Sequence, residues 1–287
     1  MNIALLSKHF KFEICNVIQK IISELEKYEC NIFMHSSADE YFSGPRVVCL
    51  DNTDDIIKKS DVIFVVGGDG TIIHYAKEAA KFDKAIFGIN GGNLGFLSVC
   101  DKDELSKVNQ IIAGDYLISE RLMLEIEFEN KHFTVLNDVV INRNADASVL
   151  KYSVSKGGKL ICNYSADGII FATPTGSTAY SLSAGGSIMD ESLKCAILTP
   201  ICAHTLASRS MILDMNSELQ LSIQKSGNKN DEFFISVDGE TYRQSLNENK
   251  SIKITKSKLR AKFIEPPNYN FYDKIRKKLI GDTNINI

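Results

Sequence analysis

The chain has 287 residues, 44% of them hydrophobic and 24% charged, with 18 Gly and 5 Pro; this excludes collagen-like, low-complexity and disordered classes, and the length favours two domains over one. Lys and Arg number 33 against 36 Asp and Glu, a formal net charge of -3, so no global basic field exists to hold a nucleic-acid backbone and no nucleic-acid partner is expected. The longest apolar runs, such as 62–66 and 168–172, fall far short of the roughly 20 residues that span a bilayer, so no membrane partner is expected either.

The first residues are apolar but run straight into Lys8, His9 and Lys11, without the basic start and small-residue cleavage site of a signal peptide, and 3–7 reads as a first strand. Phe12, Ile14, Cys15, Ile18, Ile21, Ile22 and Leu25 recur at helical spacing and predict a helix. Residues 31–35 read as a second strand. Residues 61–66 and 85–90 are short, rich in Val and Ile and bounded by Gly, Asp or Asn, which predicts buried central strands. A helix over 103–112 closes at Gly114. This alternation makes residues 1–115 an expected α/β domain with a parallel sheet. Seven cysteines are scattered along the whole chain without a C-x-x-C pair, so neither a disulfide framework nor a structural zinc site is expected, and the expected compartment is the reducing cytoplasm.

After residue 116 the period becomes two. Leu122, Leu124, Ile126 and Phe128 alternate with Met123, Glu125, Glu127 and Glu129, and similar alternation marks 219–223, 233–237, 252–254 and 259–263. One helix is predicted over 177–184. Residues 116–265 are therefore expected to form a β-rich domain. Pro266-Pro267 ends it, and Phe271, Ile275, Lys278 and Leu279 predict a closing helix, so 266–287 is expected as a helix and tail packed back on the N-terminal domain.

Four segments carry candidate chemistry. In Val65-Val66-Gly67-Gly68-Asp69-Gly70-Thr71 a buried strand runs into a Gly-rich turn and then a helix, so backbone N–H groups and a helix N-terminus stand where an anion can sit. It fits neither a P-loop nor a Rossmann fingerprint, and alone it is equally a tight turn with an N-capping Asp. A carboxylate at a phosphate site needs a reason to be there. Asp69 either takes a proton from an attacking hydroxyl or holds a divalent cation, and both readings imply phosphoryl transfer.

The second segment, Gly88-Ile89-Asn90-Gly91-Gly92-Asn93-Leu94-Gly95-Phe96-Leu97, follows the next strand and should lie beside the first turn, with Phe96 either stacking on a base or plugging the core. The third is the pair Asn137-Asp138 at a strand edge: Asn offers a donor and an acceptor to a purine, and Asp accepts from ribose hydroxyls. The fourth runs from Asp167-Gly168 through Thr173-Pro174-Thr175-Gly176-Ser177-Thr178-Ala179-Tyr180 to Ser183, with more hydroxyls than one helix cap requires. His204 and Arg209 are read as buried structural residues, and Arg276, Lys277 and Lys278 as a solvated basic face.

In combination and in order, these segments resemble the NAD kinase family across roughly residues 60–240. The resemblance implies an N-terminal α/β domain, a β-rich C-terminal domain and an active site between them. It implies transfer of the γ-phosphate of ATP to the 2'-hydroxyl of the adenosine ribose of NAD, giving NADP. Asp69 would then be the general base, with Gly67, Gly68, Gly70 and Thr71 on the phosphates. Gly70, His74, Phe96, Asn137, Asp138, Asp167, Thr175, Thr178, Ala179, Tyr180, Ser183 and Glu240 would form the NAD site, Asp167 reaching it from a neighbouring subunit of a homodimer or homotetramer. Mg2+ or another divalent cation would arrive with ATP, no cluster having the spacing of a protein metal site. His74, Ser165 and Glu240 depart from the family pattern, as does the segment 200–210, which lacks two prolines. The rivals are a lipid or sugar kinase of the same architecture, against which Asn137 and the hydroxyl-rich segment argue, and a non-catalytic dinucleotide sensor, against which Asp69 argues.

Overall fold

A computed structural model describes residues 1–92, 95–144, 148–204, 208–224 and 232–280. The chain divides into two units, Met1–Ser119 with Lys262–Ile287, and Glu120–Ala261.

The first unit opens with β1 (Asn2–Leu6), α1 (Phe12–Glu26), β2 (Asn31–His35), a 3-10 turn (Ser36–Ala38), β3 (Val47–Leu50), α2 (Thr53–Lys59), β4 (Val62–Gly67), α3 (Asp69–Ala80), β5 (Ala85–Asn90) and α4 (Ser106–Ile112). Its strands pair in parallel in the order β5-β4-β1-β2-β3. The apolar stripe of α1, Val17, Ile18, Ile21, Ile22 and Leu25, is buried in one core with Ile3, Leu5, Phe64 and Val66 of the central strands, which is what helical spacing beside a parallel sheet demands. Sequence periodicity misses β3 and α2. Three of the four β3 residues are only half-buried, and α2 buries just Ile56 and Ile57, so neither carries a full apolar pattern. Asn52 caps α2 by accepting from Asp54 N and Asp55 N at 2.8 and 3.3 Å. The helix predicted from residue 103 begins at Ser106, after a turn closed by Glu104 N on Asp101 O.

The second unit contains β6 (Leu117–Phe128, entered from the first unit), β7 (Lys131–Val135), β8 (Asp138–Arg143), β9 (Leu150–Lys156), β10 (Lys159–Ala166), β11 (Gly168–Ala172), a 3-10 turn (Thr175–Thr178), α5 (Tyr180–Ser183), β12 (Cys195–Ile201), β13 (Met211–Asp214), β14 (Leu219–Ile223), β15 (Glu232–Val237), β16 (Glu240–Ser245) and β17 (Lys250–Glu265). One antiparallel sheet runs β13-β12-β11-β8-β15-β16; in the other, β10-β9-β14-β17 are neighbours and β6 pairs with β17 and β7. Inward residues of both sheets share one core, including Ile126, Ile141, Tyr152, Phe171, Leu221, Phe233 and Ile254. β11 is buried on both faces: Ile169 and Phe171 enter that core, and Ile170 and Ala172 pack with Val140, Met189 and Ile197.

The helix predicted over 177–184 is two short pieces instead. Ala179, at φ -96 and ψ -132, is non-helical and separates the 3-10 turn from α5. The two stretches predicted at 252–254 and 259–263 are parts of the single strand β17, which leaves the second unit at Ala261; its Lys262 and Phe263 pair in parallel with Ala85 and Ile86 of β5. The chain then forms α6 (Phe271–Ile275), capped by Asn270, and continues as a π-helical turn (Arg276–Ile280).

Candidate active site

In the first unit, β4 ends at Gly67 and α3 begins at Asp69, so Asp69 stands in the first helical turn, where N–H groups lack intrahelical acceptors. Its carboxylate does not cap its own helix. Instead Oδ2 accepts from Phe96 N at 2.8 Å and Oδ1 from Leu97 N at 3.1 Å. The loop after β5 thus lies beside the loop after β4, as adjacent parallel strands require, and Gly91 N donates to Gly67 O at 3.3 Å. Asn90 fastens the second loop, its Oδ1 accepting from Gly92 N and its Nδ2 donating to Asp101 Oδ1. Gly68 and Gly70 are exposed, and a Cβ on either would stand in open space, so the absent side chains leave room for something other than protein. Gly67 is buried and Thr71 half-buried. His74, further along α3, is half-buried, its ring edge-on to Tyr75 at 4.9 Å. Phe96 is half-buried, with Lys278 Nζ 4.0 Å from its ring centroid; Lys278 therefore covers an aromatic ring and is not simply a solvated charge. Leu94 of the second motif lies outside the described residues.

In the second unit, Asn137 and Asp138 lead into β8, and Asp238 holds that entry. Its carboxylate accepts from Leu136 N at 3.0 Å, Asn137 N at 2.7 Å and Asp138 N at 3.2 Å, while its own N–H donates to Asp138 O at 2.9 Å. Asp238 and Gly239 both have positive φ and form the two-residue turn between β15 and β16. The hydroxyl-rich segment docks on the same backbone: Thr173 N donates to Asn137 O, Thr173 Oγ1 donates to Leu136 O at 2.5 Å, and a Cβ on Gly176 would lie 2.1 Å from Asn137 O. Most of its hydroxyls are spent internally. Ser177 Oγ donates to Pro174 O and accepts from Met189 N, Thr178 Oγ1 donates to Thr175 O, and Ser181 pairs with Thr199.

Two side-chain oxygens of this region are buried without a partner, Asn137 Oδ1 and Thr175 Oγ1. A buried unpartnered acceptor carries a free-energy cost that a ligand donor can remove. Tyr180 and Ser183 are exposed beside them in sequence, and Thr178 and Ala179 half-buried. Asp138 is 6% exposed. Burial, and then the nearby Asp238 charge, push its carboxyl up to about 7 against the pull of the Tyr180 N–H bonded to it.

Asp167 forms an ion pair with Arg143, Nε to Oδ1 at 2.7 Å, with about a third of its side chain exposed. Glu240 is exposed and accepts from the Tyr242 hydroxyl at 3.2 Å. Ser165 contributes its carbonyl to His204 N. His204 and Arg209 correct the expectation of burial: both are exposed, and it is backbone, His204 N and Arg209 O, that ties their loop to β10. Thr205, Leu206 and Ala207 of that segment lie outside the described residues. Among the described residues no group of three or more His, Cys, Asp or Glu is placed to hold a metal ion, and no helix is long and apolar enough to cross a membrane. Sequence reasoning gave no role to Asp238 or Arg143, and held Thr173 only as part of its hydroxyl-rich segment. For Asp238 the local signal is an Asp-Gly turn, which announces a hairpin but not a carboxylate reaching a strand some hundred residues away.

Residues 8–116 match the ATP-NAD kinase N-terminal domain and residues 136–266 the ATP-NAD kinase C-terminal domain. The NAD kinase of Symbiobacterium thermophilum is 33% identical over 269 residues, 92% of this chain and 93% of that protein. The NAD kinase of Thermoanaerobacter sp. (strain X514) is 40% identical over 231 residues, 78% of this chain and 80% of that protein. Yeast NADH kinase, solved with NADH, superposes with a TM-score of 0.87 at 26% identity, covering 99% of this chain and 88% of that one. An Archaeoglobus fulgidus NAD kinase solved with ATP shares the fold, with a TM-score of 0.75 at 22% identity over 96% of this chain and 99% of that one. The fold and these matches define a phosphotransferase that acts on an alcohol group. The chain belongs to the ATP-NAD kinase family.

Proposed function

We propose that Asp69 is the general base by which this chain carries out the family's reaction, transfer of the γ-phosphate of ATP to the 2'-hydroxyl of the adenosine ribose of NAD. The observation that carries this is the carboxylate at the start of α3, held by Phe96 N and Leu97 N beside a backbone left open by Gly68 and Gly70. In the reaction the 2'-oxygen forms a bond to the γ-phosphorus as the bond from that phosphorus to the bridging oxygen breaks. The hydroxyl proton passes to Asp69 and on to solvent, and ADP leaves. The first-turn N–H groups of α3 then face phosphate oxygens, with Gly67, Gly68, Gly70 and Thr71 shaping the approach. Mg2+ comes with the nucleotide and neutralises its phosphates.

Asn137 and Thr175 give the dinucleotide acceptors for its amino or hydroxyl groups, supported by their unpartnered oxygens. Gly70, His74, Phe96, Asp138, Thr178, Ala179, Tyr180, Ser183 and Glu240 complete the assignment to NAD. Asp167 serves NAD across a subunit contact of a homodimer or homotetramer, with Arg143 fixing its direction. The protein works in the cytoplasm, in keeping with seven free cysteines.

The test is a coupled assay of purified protein with NAD, ATP and Mg2+, reading NADP through an NADP-specific dehydrogenase. NADP formation is expected. Folded protein that binds NAD without making NADP would point to a sensor, and absence of NAD binding to a lipid or sugar kinase.

A further inference from the structure

Both N–H groups that hold Asp69 belong to a loop, so whatever holds that loop bears on the base. A cavity of about 260 Å3, lined among others by Ser98, Cys100, Lys107, Asn270 and Lys274, lies between the end of that loop and the closing helix. Lys274 Nζ, on α6, donates to Phe96 O at 2.9 Å and also to Ser98 O, using two of the three ammonium donors.

The Phe96 carbonyl and the Leu97 N–H are opposite ends of one planar peptide group. That group is therefore pinned at both ends, by the Lys274 ammonium on its oxygen and by the Asp69 carboxylate on its N–H. A cation on the carbonyl polarises the peptide and strengthens the bond its N–H makes. One turn further, Lys278 stands over the Phe96 ring and restrains the same residue.

We infer that Lys274 is a positioning residue for the reaction: through the Phe96-Leu97 peptide it fixes the Asp69 carboxylate. This rests on the reading of Asp69 as base. If Lys274 acts this way, it matters to turnover rather than to substrate binding, and only while the carboxylate is present.

The experiment compares Lys274→Ala, Lys274→Arg, Asp69→Asn and the double variant Asp69→Asn/Lys274→Ala in the coupled assay, with thermal melts to establish folding. Displacing a reacting group by about 1 Å costs up to roughly a hundredfold in rate, so Lys274→Ala is expected to lower kcat about tenfold to a hundredfold while KM for NAD and ATP stays within about twofold. Lys274→Arg, which keeps a cation with N–H donors, is expected to recover most of that loss. In the Asp69→Asn background Lys274→Ala is expected to cause no further loss. Should Lys274→Ala not fold, Lys274→Met keeps the aliphatic stem and serves in its place. Unchanged kcat in the folded variant overturns the inference, and so does an equal loss with and without Asp69. Full turnover in Asp69→Asn overturns the base assignment and the inference with it.

Discussion

The Asp69 carboxylate occupies the space in which a side chain at position 95 would begin: a Cβ on Gly95 would lie 1.9 Å from Asp69 Oδ1. The glycine between β5 and the Phe96-Leu97 peptide is thus a requirement of the carboxylate's position. Since the carboxylate is already held by two backbone N–H groups, it has no relaxed position that keeps both bonds and admits a methyl. Gly95→Ala is expected to lower kcat about tenfold or more, with a lowered melting temperature as the Phe96 and Leu97 N–H groups lose their acceptor. Parental kcat in Gly95→Ala would show that the carboxylate is free to move without consequence.

Asp238 and Asn137 separate architecture from contact. Asp238→Ala leaves the Leu136, Asn137 and Asp138 N–H groups without their acceptor, and a buried donor left unsatisfied costs roughly 1–3 kcal/mol. A stability loss of that order together with a raised KM for NAD is expected. Asn137→Ala removes a side-chain oxygen that has no partner in the protein, so KM for NAD is expected to rise about tenfold, the worth of one hydrogen bond, with stability unchanged. Urea unfolding and initial-rate kinetics on both variants make the comparison, and an unchanged NAD dependence in Asn137→Ala would remove that residue from the site.

Asp138 ties stability to pH. Its carboxyl is pushed from the ordinary 3.8 up to about 7 by burial and by Asp238. Between these values the folded chain keeps a proton that the unfolded chain has released, so this residue's contribution to stability falls as pH rises from about 4 to 7. Asp138→Asn removes the titrating group. The stability of Asp138→Asn relative to the parent is therefore expected to improve from pH 5 to about pH 7 in urea unfolding and to level off above that. A difference independent of pH would contradict this.

The central strands and the Gly-rich turn are legible in the sequence because burial on both faces writes itself as a short apolar run rich in Val and Ile, and because the strand-to-helix turn is written in glycine, crowded against Thr71 at Gly67 and left open at Gly68 and Gly70. The second unit is legible through two-residue alternation. What escapes is short or distant. β3 and α2 bury too little to show a period, and the 177–184 helix fails because Gly176 is pressed against the Asn137 carbonyl and Ala179 is turned out of helical geometry. In the hydroxyl-rich segment, composition shows the donors but not that Thr173, Ser177 and Ser181 spend theirs within the fold while Thr175 does not. The grip of Asp238 on Asn137 and of Lys274 on Phe96 joins residues 101 and 178 positions apart, where no local pattern reaches.

Turnover by Asp69→Asn, an isosteric change that removes the carboxylate, tests Asp69 as the base, with NAD binding measured on the same preparation. The expected result is a fall in kcat of at least about a hundredfold, the usual worth of a positioned base, with NAD affinity within about twofold of the parent. NADP formation at the parental rate would contradict the assignment of Asp69 as the base.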